Sequence, residues 1–342
     1  MKMKKNFGSV FRLLAVAMLP MMAACTENLE LEGTPQSGSS EYMSFAIQDD
    51  GENWTRTAIT RGAQATTGSL NAGFGVSASV YPSAGTYTAY GCGSYFYNIA
   101  ATPNTATAYF WPTADYEASF YAYYPYNGTN SSALPQPSAA NTPGVPTYTY
   151  TVPQAVASQV DFMTAQVTDH VCGPQDAVAL TFSHRCTDIR FTAYNQQNDA
   201  LTVTSVSIYG VKYAGTWTSG TSWTLTGSAN SSSSYPFTLP MSTTVASEAT
   251  VDLTGTANHF IMLPQTIAAG TDMIVVTTTE DGDPRTYTYT LPSATTWEMG
   301  KSYTYALTLG NGELTVSSVT VVDWQAAASL TGSFSVNGWT AE

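Results

Sequence analysis

The chain has 342 residues, of which only 10% are charged, 24 acidic against 11 basic, for a formal net charge of −13. Phosphate backbones repel such a surface, which excludes nucleic acid as a partner. A hydrophobic share of 43% belongs to a folded protein rather than a disordered one, and the length gives a prior of about two domains.

Residues 1–24 carry four bases, Lys2, Lys4, Lys5 and Arg12, and no acid. The apolar run 13–19 follows and is broken by Pro20; Met21-Met22-Ala23-Ala24-Cys25 comes next. A charged start, a short apolar stretch and small residues before a cut site define a secretory signal, and the stretch is too short to cross a bilayer as a helix. Two small residues directly before a cysteine predict a lipoprotein box, with Cys25 acylated as the mature N-terminus and anchored in outer-membrane lipid. Removal of the signal takes four bases and no acid, leaving 7 bases against 24 acids, a net of −17. Only the lipid of such a body should touch an anionic membrane. Residues 25–41 are acidic and then Gly/Ser-rich, the composition of a flexible tether.

From Tyr42 onward the sequence shows period-2 alternation rather than a helical repeat, so an all-β body is expected. Residues 42–47 alternate, with Met43, Phe45 and Ile47 on one face. Residues 127–146 read as a long Pro/Ser/Asn loop. A boundary is placed near residue 172, giving an N-terminal β-sandwich over 42–172 and a C-terminal one over 173–342. Residues 201–209, 286–291 and 303–309 alternate as strands, and Glu280-Asp281-Gly282-Asp283-Pro284 predicts a hairpin turn. In the tail, Leu330, Gly332, Phe334 and Val336 share one face of an alternating segment, 329–337.

Few residues invite chemistry. His170-x-Cys172 and His184-x-Cys186 could offer four ligands to one zinc, but their spacing matches no zinc signature. A Cys172–Cys186 disulfide and two buried free thiols are the competing readings, and Cys92 is left over as a free thiol on a turn. Ser183-His184, with Asp188 near, lacks a nucleophile elbow, and adjacent strand residues point to opposite faces. Asp49-Asp50-Gly51-Glu52 and Glu280-Asp281-Gly282-Asp283 are too short for calcium loops. Tyr121, Tyr123, Tyr124 and Tyr126 fit half-buried sheet surface better than sugar-stacking platforms. No enzyme, metal or cofactor is expected.

Six stretches in series resemble the fimbrillin family, the lipoprotein pilins of type V pili. They are Trp111-Pro112 with Phe120-Tyr121-Ala122-Tyr123-Tyr124-Pro125; Gln159-Val160-Asp161-Phe162-Met163-Thr164-Ala165; and Val178-Ala179-Leu180-Thr181-Phe182-Ser183-His184 running into Asp188-Ile189-Arg190-Phe191. Ile261-Met262-Leu263-Pro264-Gln265-Thr266 follows, then the stretch from Trp297 through Gly300 to Tyr305, and last 319–324 ending in Asp323-Trp324. Arg185-Cys186 departs from the small apolar residues usual after the histidine. The resemblance implies two transthyretin-like β-sandwich domains in series and a structural or adhesive role in a pilus at the cell surface.

It also implies assembly by protease-triggered β-strand exchange with other pilin subunits. A processing protease cuts after an arginine near the N-terminus, for which Arg56 and Arg61 are the candidates. The first strand, with Met43, Phe45 and Ile47, then leaves, and a neighbour's C-terminal strand fills its place. Residues Leu330, Gly332, Phe334 and Val336 are the candidate donor, because alternate side chains set the register of an added strand. The alternatives are a monomeric surface lipoprotein that binds glycans or host proteins, and a pilus anchor or tip subunit.

Overall fold

The computed structural model describes residues 42–47, 67–83, 94–138, 145–173, 177–220, 222–310 and 312–324. Cys25, Cys92, Arg56, Arg61 and the segment 329–337 lie outside them. The described residues are nearly all strand; the helical pieces among them are one turn at Thr67–Asn71 and a 3-10 turn at Val156–Ser158. Expected strands 201–209, 286–291 and 303–309 are found as Leu201–Ile208, Asp283–Thr290 and Lys301–Gly310. The expected hairpin is present too. Glu280 pairs with Asp283, and the two turn residues, Asp281 and Gly282, have φ of 51° and 89°, the twist that a two-residue hairpin requires.

Two hydrophobic clusters organise the chain. The first lies between two sheets. One has five antiparallel strands in the order Ser183–His184, Met163–Val171, Tyr116–Tyr124, Phe74–Pro82 and Ser94–Ala101. The other has three, Ala106–Phe110, Tyr42–Ile47 and Val178–Leu180, with Tyr42–Ile47 in the middle. Alternation delivers Phe74, Val76, Ala118, Phe120 and Ala122 from the larger sheet against Met43, Phe45, Val178 and Leu180 from the smaller.

The second cluster fills a larger sandwich. Thr187–Asn195 pairs in parallel with Lys301–Gly310 along its whole length, and Glu313–Asp323 closes that edge. The facing sheet runs Phe237–Val245, Leu201–Ile208, Asp272–Glu280 and Asp283–Thr290. Phe191, Tyr305, Leu307 and Leu309 meet Val203, Val206, Ile274 and Val276 in the interior.

The two clusters do not divide the chain at a single point. Thr147–Thr151 pairs with Ala214–Thr218, and Tyr148, Tyr150, Val156 and Phe162 belong to the second cluster. Met163, Ala165, Cys172, Val178, Leu180 and Phe182 belong to the first. The chain therefore passes from the first cluster to the second, back and again to the second, and all described residues fall in one compact unit, Leu31–Glu342. Local alternation fixes which face a residue takes but not which sheet it joins.

One glycine ties the clusters together. A Cβ on Gly75 would lie 2.2 Å from the Tyr123 ring, so only glycine lets that ring cross its strand. Tyr123 thereby reaches the second cluster, where its ring centroid is 5.0 Å from that of Tyr148.

Candidate functional site: the first strand and its slot

The strand Tyr42–Ile47 is six residues long and is held on both sides. Tyr42 and Ser44 pair antiparallel with Phe110 and Ala106, and Phe45, Ala46 and Ile47 pair in parallel with Val178, Ala179 and Leu180. The Phe45 carbonyl also accepts from the Asn104 amide. Met43 and Phe45 are fully buried; Phe45 meets Phe120 and Phe74 edge-on, with centroids 5.5 and 6.3 Å away. Ile47, expected on the same buried face, is only half-buried at the strand's end. Tyr42 stacks on Phe110 at 4.4 Å, and both rings remain more than a third exposed. Two buried side chains and a doubly paired backbone thus hold a single short strand between two others.

The stretch beside this slot is continuously alternating. Val178, Leu180, Phe182 and His184 are buried while Ala179, Thr181 and Ser183 are exposed. Ser183 and His184 therefore point apart, as adjacent strand residues must, and Asp188 is not the partner of His184. That partner is Asp161, whose two carboxylate oxygens both lie 2.9 Å from His184 Nδ1. The imidazole stacks on Trp324, centroids 4.3 Å apart and planes 13° from parallel, and the Trp324 amide donates to Gly300. Gln159 adds a further tie, accepting from the Ile261 amide and donating to the Pro153 carbonyl. Five of the six sequence stretches meet here. The last described residue of the chain, Trp324, is anchored on His184, in the strand Ser183–His184 that follows Val178–Leu180 in sequence and pairs with Met163–Val171.

Asp188 sits in a second buried cluster. Its Oδ2 accepts from Arg190 Nε at 2.6 Å and from the Ser302 hydroxyl at 2.8 Å, and His259 Nδ1 stands 3.1 Å from Oδ1 in an ionic contact that is poorly aligned for a hydrogen bond. Burial works to raise the carboxyl pKa. Interaction with His259, the charges of His259 and Arg190, and the Ser302 hydroxyl outweigh it and hold Asp188 below the ordinary carboxylate value. This cluster cross-braces the parallel strands Thr187–Asn195 and Lys301–Gly310. It presents no nucleophile–base pair.

Of the two competing readings of Cys172 and Cys186, the structure has the free thiols. Cys172 and Cys186 are free, buried thiols that belong to different clusters. Burial raises both thiol pKa values, that of Cys172 to about 12. The H-x-C pairs do not converge. His170 packs against Trp111 and Phe120, and the described residues hold no group of three or more His, Cys, Asp or Glu placed for a metal. Arg185, the departure from the family pattern, lies over the Trp217 ring at 4.9 Å with its Nε on the Thr164 hydroxyl, and burial lowers its pKa to about 10. It thereby links Trp217 of the second cluster to the strand Met163–Val171. Tyr121, Tyr123 and Tyr124 are buried, so their ring faces are not sugar platforms.

Fold and site together define an all-β sandwich protein of two cores, whose short first strand occupies the centre of a three-stranded sheet. The fimbrillin-like family model matches residues 55–324, and the chain belongs to that family, whose members are fimbrial proteins of the cell surface. Among solved structures, a fimbrial protein from Bacteroides vulgatus is 19% identical with a TM-score of 0.59, covering 84% of this chain and 100% of that one. A candidate cell adhesion protein from Bacteroides ovatus is 18% identical with a TM-score of 0.52, covering 84% and 98%. At these identities the likeness is one of fold. No curated protein matches the sequence.

Proposed function

We propose that this chain is a structural and adhesive pilus subunit, exported as a lipoprotein through Cys25 and polymerised by β-strand exchange. The observation that carries the reading is the seat of Tyr42–Ile47. Removing the strand would open backbone donors and acceptors on both neighbouring strands and empty the places of Met43 and Phe45. Unpaired buried backbone groups and lost burial of about 1.5–3 kcal/mol per large apolar side chain make the empty slot unfavourable. Another strand with alternating apolar residues is the natural replacement, since main-chain bonds supply affinity and alternating pockets supply register. In the parallel sense Gly332, Phe334 and Val336 of a neighbour would take the places of Met43, Phe45 and Ile47. Trp324, packed on His184, would mark where the departing tail begins.

Arg56 and Arg61 follow the strand in sequence, so a cut after either frees residues 42–47 from the rest of the chain. The test combines two variants of the full chain. Replacing both arginines should block maturation to a shorter form, and deleting residues 329–342 should leave a folded subunit that cannot extend a fibre. An unchanged mature size in the double variant, or unfolding of the deletion variant, overturns the proposal.

A further inference from the structure

At the far end of the larger sandwich lies a polar cleft that strand exchange does not use. The strands Thr187–Asn195 and Lys301–Gly310 run parallel, so Asn195 and Gly310 emerge at one pole while His184 and Trp324 sit at the other. Loop 196–200, the hairpin turn after Glu280 and the turn at Gly312 gather at that pole around a cleft of about 430 Å³. The volume lies within the range of about 300–1,000 Å³ for small-molecule sites.

The cleft is built rather than incidental. Asn195, fully buried, donates to the Asp199 and Val245 carbonyls and accepts from the Gln197 amide, while the Ser247 hydroxyl donates to the Gln197 carbonyl. These bonds fix the loop, which lowers the ordering cost of binding. Across the cleft, Gln197 Nε2 donates to the Tyr287 hydroxyl, which donates to Glu280; the same carboxylate accepts from Thr278 and stands 3.0 Å from Arg285 Nε.

The lining selects a class of ligand by its chemistry. An apolar molecule finds no greasy wall, and a phosphate meets Asp199, Glu280 and Asp281 against Arg285 alone. Arg285 already neutralises Glu280, and the described residues gather no three-ligand group for a metal ion. What remains is a lining of planar polar groups, the Gln197 and Asn198 amides, the Asp199 carboxylate and the Arg285 guanidinium, which between them offer both donors and acceptors. Adjacent hydroxyls of a sugar, each donating one hydrogen bond and accepting two, complement such a lining. We propose that this cleft is a binding site for a neutral saccharide. The inference does not depend on strand exchange.

The test uses the full chain against immobilised neutral oligosaccharides of hexose and N-acetylhexosamine, with sialylated oligosaccharides and a lysine-rich peptide beside them. Asp199 and Arg285 are exposed, so Asp199→Ala should leave the thermal unfolding midpoint unchanged and Arg285→Ala should lower it only by the small loss of its ion pair with Glu280. Each should weaken binding of a neutral saccharide by about tenfold or more, the loss of a charged hydrogen bond. Thr149→Ala, on another sheet, and Phe45→Ala, in the strand slot, should bind the sugar as the natural chain does. No neutral saccharide bound at up to about 10 mM, undiminished binding in both cleft variants, or preference for the sialylated sugars or the peptide overturns the proposal.

Discussion

Phe45→Ala probes the strand slot most sharply. Truncating a buried phenylalanine costs about 3–5 kcal/mol, more where the cavity cannot collapse. Here collapse is resisted on both sides, because Phe74 is held against Phe182 at 5.3 Å and Phe120 against Trp111 at 5.9 Å. The two edge-on contacts of Phe45 add about 0.5–1.5 kcal/mol each beyond burial. The upper half of the range is therefore expected, about 4–5 kcal/mol, which raises the opening constant of the strand by roughly three decades at about 1.4 kcal/mol per decade. Amide hydrogen exchange resolves where that opening falls. Protection should be lost in Tyr42–Ile47 and in its partners Ala106–Phe110 and Val178–Leu180, while Thr187–Asn195 and Lys301–Gly310 keep theirs. Equal loss across both sandwiches would refute the idea that the strand separates as a unit. So would unchanged protection on the two flanking strands.

Further predictions concern the buried polar groups. The folded pKa of Asp188 is depressed, so its stabilising effect is present above the unfolded value of about 3.9 and is lost as pH falls through the lower folded value. Asp188→Asn removes the counter-charge of Arg190 from a fully buried position and should cost about 3–5 kcal/mol at pH 7 in urea unfolding. The gap to the natural protein should narrow as pH falls below the unfolded value, where the unfolded chain takes up a proton that folded Asp188 resists; an equal gap at pH 7 and pH 3 would count against the ionic account. The raised thiol pKa values predict that Cys172 and Cys186 resist alkylation at pH 8 in the folded protein and react on unfolding, read by peptide mass mapping. Mapping them as one disulfide-linked peptide would contradict the free-thiol arrangement.

Much of the local structure is legible in the sequence because a strand announces its faces. Val178, Leu180, Phe182 and His184 alternate in the sequence and are all buried, and the Asp-Gly hairpin turn forms where it is expected. Met43 and Phe45 are buried for the same reason. What alternation cannot carry is the identity of the neighbour. Nothing local in 147–162 distinguishes packing into the second cluster from packing into the first, so its membership of the second is not legible in the sequence. The partner of His184 lies 23 residues away in another stretch, and only the conjunction of those two stretches hints at the pair. The cleft is less legible still, since three turns far apart in sequence meet only because two long strands run parallel.

The central claim, that the first strand is replaced by a neighbour's, is tested most directly by the N-terminus of the subunit recovered from surface fibres. The account predicts a mature chain that begins at Thr57 or Gly62, without Cys25 and without Tyr42–Ile47, yet retains the 178–180 strand in a protected, paired state. A fibre subunit that still begins at lipidated Cys25 and still contains Met43 and Phe45 would contradict it.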